Sequence, residues 1–373
     1  YLKTVETARA SAAGFAVLTV GDASLNEEIN HIVEEDLARG EGIGAGVARH
    51  EVDVLRAGIW KPRTRPNSFE GIGSEGLAWL KAAGKAVGKP VSVEVANVKH
   101  VYEALRVGVD ILWVGARTTV NPFAVQEIAD ALKGVDVPVM IKNPVNPDLE
   151  LWIGAVERIA GAGITKIAAV HRGFSVSGDH GYRNKPLWEM PIELRRLMPD
   201  LPIICDPSHI CGTRDLIPKV AQKALDLNFN GLMIEAHISP AEAWSDAKQQ
   251  VTPERLGEIL RGLVHRNTDS DDPSYRGNLE HLREMIDDLD RQMIHVLGER
   301  MKISEQIGAY KKANNITILQ AARWDEIFRE RLAIAAAKGL SPDVMKAIMQ
   351  MIHKESIRHQ ELVMNEQEVL KND

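Results

Sequence analysis

Up to about residue 263 the chain alternates short, β-branched apolar runs with amphipathic stretches of helical period. Eight of these runs read as buried strands: Phe15–Gly21, Val52–Trp60, Val91–Val95, Asp110–Gly115, Val137–Lys142, Thr165–Val170, Pro202–Asp206 and Gly231–Ala236. Strands separated by helices eight times over predict an α/β fold, a parallel (β/α)8 TIM barrel, rather than an open doubly wound sheet. No Gly-x-Gly-x-x-Gly follows an early strand. The glycines of Gly40–Gly46 have no strand immediately before them and read as a flexible loop.

The pattern changes at His265–Gly277. Asn267-Thr268-Asp269-Ser270-Asp271-Asp272-Pro273-Ser274 is polar and acidic, which predicts a linker over 264–277 between a barrel at 1–263 and a second domain at 278–373. Beyond it the period is helical throughout. Leu282, Ile286, Leu289, Met293, Val296 and Leu297 form an apolar stripe on one long helix. Asn314-Asn315 interrupts the period, and Gly339-Leu340-Ser341-Pro342 does so again, with Ser341 as an N-cap and Pro342 in the first helical turn. Three helices of which the first is very long cannot enclose a core alone. A homodimer through this domain is the expected remedy.

Composition narrows the function classes. Hydrophobic content of 45% and charged content of 26% are those of an ordinary globular enzyme. A formal net charge of −7 argues against a nucleic-acid partner, although local basic clusters can hold small anions. No apolar run reaches membrane-spanning length and no signal peptide is visible, so no membrane partner is expected. Two cysteines, Cys205 and Cys211, are too few for a disulfide framework and suggest a reducing cytoplasm. The chain opens on Tyr1 rather than Met, which suggests that residues precede it.

Candidate chemistry gathers at the ends of the predicted strands, the rim on which barrels of this kind carry their sites. The second strand runs into Arg56-Ala57-Gly58-Ile59-Trp60-Lys61-Pro62-Arg63-Thr64-Arg65-Pro66. Its four cations, on a path stiffened by two prolines and without nearby carboxylates, suit a phosphorylated anion. Arg117 follows the fourth strand, Lys142 closes the fifth, and His171 and Arg172 follow the sixth. His209 follows the seventh and Glu235 ends the eighth. Each alone could be a satisfied structural polar group. Six strands delivering such groups to one rim is not readily a coincidence.

Lys61-Pro62-Arg63-Thr64 resembles the Lys-Pro-Arg-Thr motif of 3-deoxy-D-arabino-heptulosonate 7-phosphate (DAHP) synthases, and the strand-end residues match that family across the barrel. The resemblance implies that Arg56, Lys61, Arg117, Lys142 and Arg172 hold phosphoenolpyruvate, and that Arg63 and Thr64 hold the phosphate of erythrose 4-phosphate. Lys61, Lys142 and His209 are the implied catalytic groups. The family's divalent metal uses a Cys, a His, a Glu and an Asp, of which the last three match His209, Glu235 and Asp246. Such a set suits Mn first, with Fe, Co or Zn as alternatives.

One motif departs from the family. Its first strand carries Gly-Pro-Cys-Ser, whereas the nearest analogue here is Gly21-Asp22-Ala23-Ser24. A second alignment matches Glu6-Thr7-Ala8-Arg9 to the family's first helix and makes Phe15–Glu51 an insertion. The count of eight strands favours the first. Cys205, four residues before His209, reads as barrel packing rather than a substitute ligand.

Residues 278–365 resemble the all-α chorismate mutases, which implies a three-helix mutase domain with Arg283, Arg300, Lys311, Gln320, Arg323, Ser356 and Gln360 in its pocket, Lys311 and Gln360 being the catalytic pair. Trp324 stands where that family often has a glutamate. Helical geometry bears on part of this. Arg300 and Lys311 lie within roughly 20° of each other around the axis, and Ser356 and Gln360 share a face. Arg283 points roughly 100° away and is expected to serve the partner chain's pocket.

Together the readings give a bifunctional enzyme of aromatic amino-acid biosynthesis, a synthase barrel fused to a chorismate–prephenate mutase. The alternative is an active mutase whose barrel, lacking the cysteine motif, acts as scaffold or regulatory partner. A 3-deoxy-octulosonate 8-phosphate synthase is a third candidate, disfavoured by Lys61–Thr64 and the fused mutase.

Overall fold

A computed structural model describes residues 52–63, 69–178, 181–267, 269–319 and 327–365 in full, and the backbone alone at 15–20 and 321–326. Eight parallel strands close into a barrel in sequence order: β1 (Phe15–Val20), β2 (Val54–Ala57), β3 (Val91–Val95), β4 (Ile111–Val114), β5 (Val139–Lys142), β6 (Ile167–His171), β7 (Ile203–Cys205) and β8 (Gly231–Ala236). β1 completes the ring, pairing Val17 with Val54 on one side and with Met233 on the other. The run at Phe15 therefore occupies the first-strand position. Gly21–Ser24 and Glu6–Arg9 lie outside the described residues.

Among the described residues the helices of this unit are α1 (Glu75–Val87), α2 (Val98–Val107), α3 (Ala116–Thr119), α4 (Pro122–Ala131), α5 (Leu149–Gly161), α6 (Glu189–Leu197), α7 (Pro207–Cys211), α8 (Ile217–Asp226) and α9 (Pro253–Gly262). Several begin with the same local chemistry. Asn121, Asp206 and Thr252 each accept a backbone N–H of the first turn, and a proline follows at the first helical position. That proline has no N–H to leave unsatisfied and its φ already suits a helix.

Alternation along the strands divides the core in two. Leu55, Val91, Val93, Leu112, Ile141, Ala169, Ile203 and Leu232 face outward and pack with the helices. Val54, Ile111, Trp113, Met140, Val170, Ile204 and Met233 fill the barrel interior. Side chains in a strand repeat every second residue. One step up from this interior plug, the inward positions become Arg56, Lys142, Arg172, Asp206 and Glu235, all buried. The barrel is an apolar plug capped by a ring of charge.

Contacts divide the chain into Tyr1–Thr268 and Asp269–Asp373. The second unit is α10 (Pro273–Ala313), α11 (Ala321–Ala337) and α12 (Pro342–Asn365). α10 starts at Pro273, inside the stretch read as linker. Asp272 accepts the Ser274 N–H and Pro273 takes the first helical position, so the polar run is a cap as well as a connection. α10 and α12 pack closely: a Cβ on Gly308 would lie 3.0 Å from Gln360 Cα. Much of the α10 stripe, Leu282, Ile286, Leu289, Met293 and Val296, is exposed in the single chain.

Candidate functional site

The barrel site is a network of cations and carboxylates on the strand ends. Arg56, rising from β2, places Nη2 3.1 Å from Glu235 Oε1 of β8, with both side chains buried. Lys142 Nζ at the end of β5 lies 2.6 Å from Asp206 Oδ2 beyond β7. Asp206 Oδ2 is also 2.9 Å from His209 Nδ1. Burial lowers the Lys142 pKa, with Asp206 opposing it. Burial acts to raise the Asp206 carboxyl, but His209 and Lys142 hold it well below the usual carboxylate range. Desolvated pairs of this kind keep their charges only because each meets the other.

Lys61 and Arg63 have carboxylates within reach once the chain folds. The loop between β8 and α9 brings Asp246 Oδ2 to 3.8 Å from Lys61 Nζ and 3.6 Å from Arg63 Nη1. The expectation of a cation loop without nearby carboxylates held along the sequence only. Asp246 adopts φ 54, a left-handed conformation that aspartate tolerates better than most residues. Its Oδ1 is 2.7 Å from Arg183 Nη1, which also donates to Gln249 Oε1 at 2.6 Å. Gln249 in turn donates to Glu235 Oε2 at 2.6 Å. Arg183 and Gln249 thus tie the two carboxylates Asp246 and Glu235 together.

His209, Glu235 and Asp246 each offer a donor atom within 4.8 Å of the others. An imidazole and two carboxylates converging from different elements fit a divalent transition metal. Neither cysteine joins them. Cys205 and Cys211 pack in the outer core, and burial pushes the Cys205 thiol well above its ordinary pKa, so it stays protonated.

Arg172 donates to Asn184 at 2.9 Å and is buried, which lowers its pKa to about 10. His171 is enclosed by Trp152, Phe174, Trp188 and Phe229, and burial lowers its pKa to about 3. It is a neutral packing group, not part of the rim. Arg117 on α3 is exposed. Thr64 lies outside the described residues.

Several participants were not evident from the sequence: Glu94, Asp206, Arg183 and Gln249. The available signal for Glu94 was a lone carboxylate on the inward parity of Val91–Val95. Burial raises its pKa to about 7, against the lowering pull of Lys142, Arg56, Lys61 and Arg117. A carboxyl whose folded pKa exceeds its unfolded value binds protons more tightly when folded. Stability therefore falls as pH rises from about 4.5 through about 7. Glu94→Gln should lose this slope and exceed the parent in stability above pH 7 by up to about 3 kcal/mol. Urea unfolding at mildly acid and mildly alkaline pH checks this, and an unchanged pH dependence would contradict it.

In the helical unit Arg300 donates to Ser356 Oγ, Lys311 donates to the Ile318 carbonyl, and Ser356 and Gln360 are buried between α10 and α12. Gln360 Oε1 has no hydrogen-bond partner among the described residues, so a buried acceptor is left unused between α10 and α12. Arg283 is exposed and sits 3.8 Å from Glu280. Seventeen residues of helix separate it from Arg300, roughly 25 Å, so the two cannot share a pocket on one chain. Gln320 and the side chains of Arg323 and Trp324 lie outside the described residues.

The closed (β/α)8 barrel carries buried cations and a His-Glu-Asp cluster on one rim, the end on which barrels of this kind place their sites. Residues 43–269 match the model of the DAHP synthetase I family, more than half of the chain, and the chain belongs to that family. Gly21–Ser24 precede the matched residues. Residues 282–361 match the chorismate mutase type II family. A phospho-2-dehydro-3-deoxyheptonate aldolase of Thermotoga maritima is 32% identical over 212 residues, 57% of this chain and 61% of that protein. A 2-dehydro-3-deoxyphosphooctonate aldolase of Burkholderia cenocepacia is 27% identical over 221 residues, 54% of this chain and 74% of that protein. The crystal structure of the Thermotoga maritima DAHP synthase is similar with a TM-score of 0.56 at 26% identity, covering 66% of this chain and 67% of that one. Among the described residues no helix is long and apolar enough to cross a membrane.

Proposed function

We propose that the chain is a bifunctional enzyme: its barrel condenses phosphoenolpyruvate with erythrose 4-phosphate to DAHP and phosphate, and its helical unit rearranges chorismate to prephenate. The observation that carries the first activity is the convergence of Arg56, Lys61, Lys142 and Arg172 beside His209, Glu235 and Asp246 on one rim. Arg56, Lys142, Arg172, Arg117 and Lys61 take the carboxylate and phosphate of phosphoenolpyruvate, while Arg63, with Thr64, takes the phosphate of the sugar. His209, Glu235 and Asp246 hold the metal, Mn by preference over Fe, Co or Zn. Bound there, it supplies Lewis acidity to the aldehyde oxygen. The alkene carbon attacks the aldehyde, water adds to the resulting cation, and phosphate leaves. Glu94, with its pKa near neutrality, is the group able to hold or release a proton among these cations. Dialysis against EDTA should abolish synthase turnover and excess Mn should restore it. An undiminished rate after EDTA would oppose the reading.

The mutase reading rests on Arg300 and Lys311 of α10 and Ser356 and Gln360 of α12, with the Arg300–Ser356 hydrogen bond joining the two helices. Chorismate needs no nucleophile, only orientation and fixed charge. Arg283, Arg300 and Arg323 suit its carboxylates, Lys311 and Gln360 its ether oxygen, and Gln320 completes the implied set. The exposed stripe of α10 and the remoteness of Arg283 support a homodimer in which Arg283 enters the partner's pocket. Mixing inactive Arg283→Ala with inactive Lys311→Ala chains should then recover part of the mutase activity. No recovery after verified subunit exchange would refute the shared pocket.

A further inference from the structure

The barrel interior below the charged ring is aliphatic or thioether at every position of its buried cluster except Trp113. Trp113 lies on β4, is 5% exposed, and sits in register with Glu94 of β3 and Met140 of β5. Two cations rest on its ring. Arg56 Cζ is 4.6 Å from the ring centroid, and Lys142 Nζ is also 4.6 Å from it. Both cations are buried, where an aromatic face attracts a cation more strongly than it does in water. The indole N–H has no hydrogen-bond partner among the described residues, so the face of the ring is what Trp113 offers.

The carboxylates that neutralise these two cations have other engagements. Glu235 accepts from Gln249 and stands in the His-Glu-Asp cluster; Asp206 also lies against His209 and caps α7. An incoming anion must compete with both carboxylates for Arg56 and Lys142. The ring competes with nothing, since it carries a quadrupole rather than a charge. It can hold a guanidinium and an ammonium in place while leaving their hydrogen-bond donors for a ligand.

We infer that Trp113 is a positioning residue that fixes Arg56 and Lys142 for phosphoenolpyruvate through a shared cation–π contact. This rests on the synthase reading of the barrel. An aliphatic side chain of similar volume would fill the interior but would leave two like charges without that platform. The contact also accounts for a bulky aromatic in an apolar cluster whose other buried members are Val, Ile and Met.

The test keeps the shape of the side chain and changes its electrons. Mono-, di- and trifluorotryptophan are introduced site-specifically at position 113 of the full chain, and phosphoenolpyruvate binding is measured by calorimetry. Fluorine withdraws density from the ring face while scarcely altering its volume. Affinity should fall stepwise, about tenfold across the series, with the melting temperature nearly unchanged. Trp113→Phe should bind more tightly than Trp113→Leu. Equal affinities across the fluorinated proteins, with the parent binding phosphoenolpyruvate, would overturn this inference alone. A parent that does not bind phosphoenolpyruvate at all would overturn both it and the synthase reading.

Discussion

Replacing Lys142 by Met is expected to lower synthase turnover by at least about 100-fold, the loss of one charge-assisted contact in a dry site. The same change should destabilise the barrel by roughly 3–5 kcal/mol, because Asp206 is fully buried and loses the ammonium 2.6 Å away. Stability and chemistry can be separated. Asp206→Asn, added to Lys142→Met, removes the stranded charge and keeps a side-chain oxygen to cap α7. The double variant should regain much of the lost stability and none of the turnover. Recovery of turnover alongside stability would mean that Lys142 acts only as the structural partner of Asp206.

The second large effect is expected in the helical unit. Arg300→Ala and Lys311→Ala should each slow chorismate rearrangement by roughly 2–4 kcal/mol of barrier, about 30- to 1,000-fold. Both positions lie on α10, and alanine is a strong helix former, so helix content should hold. Arg300→Ala also frees Ser356, to which the guanidinium donates. Restoring charge with Arg300→Lys should recover little, because a lysine lacks the planar fork that binds a carboxylate in two places. Near-parent mutase rates in both alanine variants would remove the pocket from this face of α10.

Which parts of this could be read from the sequence follows from how each signal is made. The strands at Val91–Val95 and Gly231–Ala236 were legible to the residue because apolar character stops where the strand does. Val52–Trp60 overran β2 at both ends, since Ile59 and Trp60 are buried in the following loop and look like strand. The rim residues at strand ends were visible as polar breaks in apolar runs. Glu94, Asp206 and Trp113 were not, because their meaning depends on which parity of each strand points inward. Only closure of the barrel decides that. Arg183 and Gln249 come from the segments after β6 and β8, and nothing local marks them as holding Asp246 and Glu235. α10 begins inside the stretch read as a linker, because Asp272-Pro273 is polar and yet also caps a helix.

The central claim, two chemistries on one chain, is tested most directly by assaying the purified chain, barrel and helical unit together, with Mn for both reactions in parallel. Phosphate should be released from phosphoenolpyruvate only when erythrose 4-phosphate is present, and the same preparation should convert chorismate to prephenate. Prephenate formation with phosphoenolpyruvate left intact would contradict the claim and leave the barrel as a scaffold for the mutase.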